Sequence, residues 1–475
     1  MSHRILPALS LLLLAALPGA ATASDVTLPQ TVRTVLPNGT VVILSDRHEV
    51  PLFGFRALLR GGAVTDPPGK AGLAALFAGL LEKGAGERDA AAFSDAVEST
   101  GGRIWASGGL ESVTIGGDFM AHDAALMVEL LRDMLRRPAL AEDEFDKLRT
   151  RMIDSLRAAK DGDPGTLLPV YADAFLFGEH PYAGPAGGSE ESLAAISHDD
   201  VVDYYQRYAG GDRLIIVVSG DIDITAMQAM LERAFADWRA ASEPLPDLPA
   251  PAKQPGRRVL LVDKPGATQT YFWLGNVGVA RGYGRRAELE TANTVFGGRF
   301  TSMLNTALRV ESGLTYGARS VLVRPSQPGS IAISSFTQTQ STVEAIDMAI
   351  GVLDQLHSSA IGPEAIDSAR NYLLGQFPTA LETADDLATQ FAELEFYGLG
   401  NEYVDGFADA LAAVTPESLA AVISDVYPLP EDLVVVLLGD ADAIRDSVAR
   451  YGDLVEIAIS DPRFVAGAPD DEAER

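Results

Sequence analysis

The sequence predicts an α+β protein built twice over: two homologous domains, each an α/β sandwich of a mostly antiparallel sheet with helices packed on one face. Three observations carry this. First, Leu214-Ile-Ile-Val-Val-Ser-Gly220-Asp221 returns as Leu433-Val-Val-Val-Leu-Leu-Gly439-Asp440, and both Leu214 to Leu433 and Gly220 to Gly439 are 219 residues apart, about one domain. Each copy has the same approach, Leu193-Ala-Ala-Ile-Ser197 or Leu411-Ala-Ala-Val-Thr415, followed by a helix and then Tyr208 or Tyr427. Second, the copies are separated by Glu243-Pro-Leu-Pro-Asp-Leu-Pro-Ala-Pro-Ala-Lys-Gln-Pro255, where repeated Pro fixes φ and removes donors, so neither helix nor central strand persists. Third, within each copy groups of strands precede groups of helices.

Taken in order, residues 1–23 read as a secretory signal: Arg4 in a positive start, a short apolar run through Leu14, and Ala21-Thr22-Ala23 as the cleavage site. The run is shorter than the roughly 20 residues a membrane span needs. Export, to the bacterial periplasm, is the expectation, with no stable membrane insertion. Residues 24–242 form the first domain. It opens on a hairpin over 34–43, where Asn38-Gly39 suits a tight turn, and continues with strands at 51–60 and 112–119. Helical spacing marks 73–81, 123–136 and 142–159. Ser197 and Thr415 are N-caps, with Pro416 in the first helical position. Residues 243–256 are the linker and 257–475 the second domain, with strands near 258–262 and 268–274, helices from Arg286 and Arg299, strands from Thr315 and Ser330, and helices at 342–357 and 363–375.

Composition narrows the function classes. With 475 residues, 47% of them apolar and 22% charged, the chain can bury large cores. It has no Cys, so burial rather than cross-linking stabilises it. A net charge of −29 disfavours nucleic acid and anionic membrane surfaces as partners. Gly69-Lys70 is not a phosphate loop, because Val64 replaces the first Gly and Ala71 the Ser/Thr that would reach magnesium. Neither a G-x-S-x-G elbow nor a G-x-G-x-x-G fingerprint occurs. His48, His122, His180, His198 and His357 are too widely spaced for a helical zinc pair. Acidic groups such as Glu142-Asp143-Glu144 fall at helix starts, where the macrodipole favours them.

One segment has the frame of a metal site without its ligands. Gly72-Leu-Ala-Ala75-Leu-Phe-Ala78-Gly79, ending at Lys83-Gly84, resembles the G-x-A-H-x-x-E-H helix of the pitrilysin/insulinase metallopeptidases. In that family the two His bind zinc on one helix face and the Glu activates the metal-bound water. Here those positions are Ala75, Ala78 and Gly79, and the family's third ligand, a Glu, aligns with Ser155, beside Asp154. The resemblance continues through Phe177-Gly-Glu-His180-Pro-Tyr182, Gly297-Gly-Arg-Phe300 and Leu308-Arg309-Val-Glu-Ser-Gly313-Leu314-Thr-Tyr316, and covers most of the chain.

What the resemblance implies is specific. No zinc binds to this chain; Arg309 and Tyr316 bind substrate, reaching a peptide carbonyl or its oxyanion, as a guanidinium and a phenol can. Losing every metal group while keeping this pair is the pattern of a divided active site. On the first reading, a homologous partner supplies H-x-x-E-H and zinc, and this chain closes a chamber around an extended peptide. On the second, the chain is a non-catalytic peptide-binding or scaffold protein of the same superfamily.

Overall fold

The computed structural model describes residues 27–465, so the expected signal over 1–23 lies outside the described residues. The first sheet contains Val32–Val35 (β1), Val41–Asp46 (β2), Leu52–Arg60 (β3), Arg103–Gly108 (β4), Ser112–Met120 (β5) and Leu214–Gly220 (β6), in the order β1-β2-β6-β3-β5-β4. β1 and β2 are the expected hairpin, with Gly39 at φ +94° in the turn, where a side chain would be strained. β2 and β6 pair in parallel; the other neighbours are antiparallel.

The second sheet contains Arg258–Asp263 (β7), Gln269–Val277 (β8), Ala318–Val323 (β9), Ser330–Gln338 (β10), Val434–Gly439 (β11) and Asp453–Ala458 (β12). Its order, β9-β10-β8-β11-β7-β12, repeats the first sheet over five strands, with β7 and β11 parallel as β2 and β6 are. The sixth strand is where the copies part. In the first sheet a hairpin places β1 beside β2, but β7 follows the Pro-rich segment, and proline cannot serve a ladder. That edge is filled from the other end of the chain: the helix Ala441–Val448 crosses over and delivers β12 parallel to β7.

Each copy packs its own helices on one face. In the first, Leu73–Leu81 (α1) and Glu142–Gly162 (α2) belong to this layer, and Leu76, Phe77 and Leu80 are buried with Leu44, Phe55 and Ile115. The opposite face of each sheet is covered by one helix from the other copy. Leu168–Phe177 (α3) lays Leu168, Tyr171 and Ala172 against Leu260, Trp273, Val434 and Val436 of the second sheet. Ala384–Tyr397 (α4) lays Leu387, Phe391 and Leu394 against Ile43, Leu58, Ile215 and Val217 of the first.

Close approach makes this exchange possible. A Cβ on Gly54 of β3 would stand 2.8 Å from the Asp385 backbone, so only Gly lets α4 sit this near. Arg56, nearly buried, donates to both Asp385 oxygens at 2.5 and 2.6 Å, and Arg60 donates to the carbonyls of Glu395 and Phe396 at the helix end. Residues 243–256 contain no helix or strand, and His180 and Asn276 tie parts of the segment down through Pro249 O and Gln254 N–H. No helix among the described residues is long and apolar enough to cross a membrane.

Candidate functional site

The degenerate helix is a core element. Asp66 anchors the start of α1, accepting from the N–H of Gly72 at 2.8 Å and of Ala74 at 2.9 Å. Gly72 itself adopts a left-handed φ of +93°. At the far end Glu82 accepts from Ala106 N–H of β4 at 2.6 Å, fastening α1 to the sheet edge. Lys70 is paired with Asp200, which gives it a structural partner in place of any phosphate.

Ala75 and Gly79, one turn apart, lie on the partly exposed face of α1, while Ala78 is wholly buried. Gly108 of β4 packs on the Ala75 backbone, and a Cβ on Gly79 would meet Leu148 of α2 at 2.8 Å. The two helices therefore meet at Gly79 and Leu148. Ser155 stands two turns further along α2, exposed, with its hydroxyl donating to Arg151 O at 2.8 Å. The structure thus brings Ala75, Ala78 and Gly79 together on one helix but leaves Ser155 away from the crossing. None of the four carries a group that holds zinc at neutral pH. Among the described residues no three His, Asp or Glu gather in metal-binding proximity.

Burial pushes the Asp66 carboxyl up to about 7, against the pull of the Ala74 and Gly72 amides. Since the folded value lies above the ordinary 3.8, this contribution is fully present below about pH 4 and is lost as pH rises through about 7. Asp66→Asn should remove it. In urea titrations from pH 4 to 8, the stability of wild type relative to Asp66→Asn should fall by up to about 4 kcal/mol. A difference that stays flat over that range would refute the assignment.

The second place is built around Arg309. The helix expected from Arg299 starts at Met303 instead, capped by Ser302, and widens into a π-helical turn over Thr306–Glu311, with Ser312 N–H reaching back to Ala307 O. Such widened turns are rare and concentrate at functional sites. Gly313, at φ +66°, ends it, as a left-handed residue must. The following loop is pinned to β10: Ser335 donates to Gly317 O and Thr337 to Leu314 O, while Asn305 accepts from Ala318 N–H at the start of β9. The strand expected from Thr315 therefore begins at Ala318, because residues 313–317 spend their polar groups on these tethers.

The result is a stack. The Arg309 guanidinium lies 4.5 Å from the Tyr316 ring centre and 4.7 Å from that of Phe300. Tyr316 is 76% exposed, Phe300 56% and Val310 62%, an unusual cluster of large apolar surface for one short segment. Arg309 and Tyr316 are thus brought together on one short segment. The stacking role of Phe300 has no sequence signal beyond its place in Gly-Gly-Arg-Phe. The adjoining cavity, about 400 Å³, is lined by second-copy residues and by Gly165 and Leu168 of the first copy, not by α1.

A duplicated α+β frame whose metal helix lacks the family's zinc-binding side chains, with an Arg and a Tyr presented on the second copy, defines a relative of the two-domain metallopeptidases. Comparison with known proteins agrees. Residues 43–175 match the model for insulinase, peptidase family M16, and residues 195–373 match the peptidase M16 inactive domain. The chain belongs to peptidase family M16, and its α1 carries no zinc ligand at the three motif positions Ala75, Ala78 and Gly79. It is 24% identical over 426 residues to an uncharacterized zinc protease of Streptomyces coelicolor, covering 88% of this chain and 92% of that one. To a non-peptidase homolog of Helicobacter pylori it is 25% identical over 350 residues, 72% of this chain and 78% of the relative. The mitochondrial-processing peptidase subunit beta of Blastocladiella emersonii is 23% identical over 209 residues, 44% of each chain. In fold, it matches the crystal structure of a peptidase M16 inactive domain from Pseudomonas fluorescens with a TM-score of 0.80 at 20% identity, over 86% of this chain and 98% of the other.

Proposed function

We propose that this chain is the non-zinc subunit of a heterodimeric M16 metallopeptidase, holding an extended peptide and supplying Arg309 and Tyr316 to an active site whose zinc sits in a homologous H-x-x-E-H partner. The observation that carries this is the Arg309 stack. Its guanidinium lies over the rings of Phe300 and Tyr316 with no hydrogen bond or ion pair among the described residues, in a chain whose own α1 offers no metal ligand. A cation and an exposed phenol are suited to a developing oxyanion, and the attacking water would be the one activated by the partner's metal. The likeness to a processing-peptidase subunit supports pairing. Export to the periplasm, with cleavage after Ala23, belongs to the same proposal and rests on the N-terminal sequence.

Metal analysis and reconstitution test it. The purified chain should carry no stoichiometric zinc and hydrolyse no peptide, and should co-elute with a zinc-bearing homologue whose peptide hydrolysis rises on mixing. One tightly held zinc per chain, lost together with activity on chelation, would sink the divided-site reading. Separate elution, with hydrolysis by the homologue unchanged, would leave the scaffold reading, which the likeness to a non-peptidase homolog favours.

A further inference from the structure

We infer that the cavity beside Arg309 selects a carboxylate, so that peptides held by this chain present an acidic side chain or a free C-terminus to Arg319, next to Arg309. This rests on the peptide-binding reading above and names its substrate class.

The starting point is a charge anomaly. The sequence has 66 Asp and Glu against 37 Lys and Arg, and arginines such as Arg56, Arg88, Arg286 and Arg445 are each paired with a carboxylate. Arg309 and Arg319 both line this cavity, and neither has a hydrogen bond or ion pair among the described residues. Among the described residues no acidic side chain lines it. Two unmatched cations facing one cavity in so acidic a chain leave an anion as the complementary ligand.

The fold places the donors. Arg319 on β9 is directly opposite Ser334 on β10, and Tyr271 on β8 is opposite Phe336, all on the sheet face that α3 covers further along. The cavity opens where α3 begins. There the chain approaches so closely that a Cβ on Gly165 would strike the Tyr271 ring at 2.4 Å. Burial, assisted by the charge of Asp163, raises the Tyr271 phenol above its ordinary value, and its hydroxyl donates to Gln269 Oε1 at 3.5 Å.

Chemistry then selects among anions. Arg319, with no ring contact, hydrogen bond or ion pair among the described residues, has its planar N–H edge free, which matches a carboxylate in two parallel hydrogen bonds, and Arg309 adds a second positive charge at the same cavity. Phe336 and Tyr271, 5.6 Å apart, form an apolar wall for the methylenes that carry the group. The volume of about 400 Å³ admits one side chain or one chain terminus rather than a folded domain.

The test uses the intact chain alone and fluorescein-labelled decapeptides. A C-terminally amidated peptide with one central Glu is compared with its Gln and Lys counterparts, and with the Gln peptide carrying a free C-terminus. The Glu peptide should bind at least about tenfold more tightly than the Gln peptide, the Lys peptide most weakly, and the preference should shrink below about twofold in Arg319→Gln and with added salt. A gain confined to the free C-terminus supports the inference and assigns the site to chain ends. Equal binding of all four overturns the carboxylate inference and leaves peptide binding standing. If no peptide binds, the peptide reading fails. Thermal stabilisation by glutarate, seen in wild type and absent in Arg319→Gln, then upholds the carboxylate site by itself, and no stabilisation overturns it as well.

Discussion

Arg309→Ala, in the pair reconstituted with a zinc-bearing homologue, is expected to lower kcat/KM about a hundredfold, the loss of about 3 kcal/mol that follows removal of one preorganised donor to an oxyanion. The stack refines this. Tyr316→Phe keeps a ring against the guanidinium and removes only the phenol, whereas Tyr316→Ala removes half of what holds Arg309 in place. Tyr316→Phe should therefore affect kcat alone, and Tyr316→Ala should reproduce most of the Arg309→Ala defect. Arg309→Lys should not rescue, since an ammonium lacks the planar fork and stacks poorly. Folding should be spared, because Tyr316 and Phe300 are largely exposed and the cation–π contacts contribute only about 1 kcal/mol. Steady-state kinetics separate the cases: a fall in kcat with little change in KM places the residue in the transition state. Wild-type rates for both Arg309→Ala and Tyr316→Ala in an assembled pair would end the divided-site mechanism.

The second large effect concerns α1. Rebuilding the family motif by Ala75→His, Ala78→Glu and Gly79→His should destabilise the chain without restoring a metal site. Ala78 is wholly buried, so its replacement by Glu places a carboxylate in the core at a cost of about 3 kcal/mol or more. A His at position 79 brings its Cβ to 2.8 Å from the Leu148 side chain, which is itself buried at the helix crossing and must shift. The thermal midpoint should drop by roughly 10 °C. Two His without a third ligand at the helix crossing should leave zinc substoichiometric after dialysis. A triple variant with the wild-type midpoint and one zinc per chain would show that the site lies dormant rather than dismantled.

Both predictions begin in residues that the sequence displays. The 219-residue repeat announces the duplication, and α1 falls at Leu73–Leu81, where apolar spacing puts it, because Leu73, Leu76, Phe77 and Leu80 face one core. The absence of zinc ligands at 75, 78 and 79 is likewise a matter of letters. Arg309 and Tyr316 are legible through the blocks around them. Arg319 is not, because one Arg in a strand otherwise reading Ala-Arg-Ser-Val-Leu-Val has no pattern of its own.

The helices that cross between the copies show why the remainder needs tertiary structure. α3 reads Leu-Pro-Val-Tyr-Ala-Asp-Ala-Phe-Leu-Phe, apolar nearly all round, so it has no 3.6-residue period to detect. α4 does carry its signal, with a Thr383 and Asp386 capping box and Leu387, Phe391 and Leu394 on one side, but nothing local says which sheet that side will cover. A further clue lies in β6 and β11, whose unbroken apolar runs are those of strands buried on both faces: Val435 and Leu437 face one core, Val434 and Val436 the other. Local sequence thus determined the elements, the duplication and the lost metal chemistry, since these depend on periodicity and on which atoms a side chain possesses. Only the tertiary structure decided which copy's helix covers which sheet, that Phe300 completes the Arg309 stack, and that Arg319 joins Arg309 at one cavity, because the first depends on contacts between residues distant in the chain and the others on how the π-helical turn and the loop after it fold back, which no local period encodes.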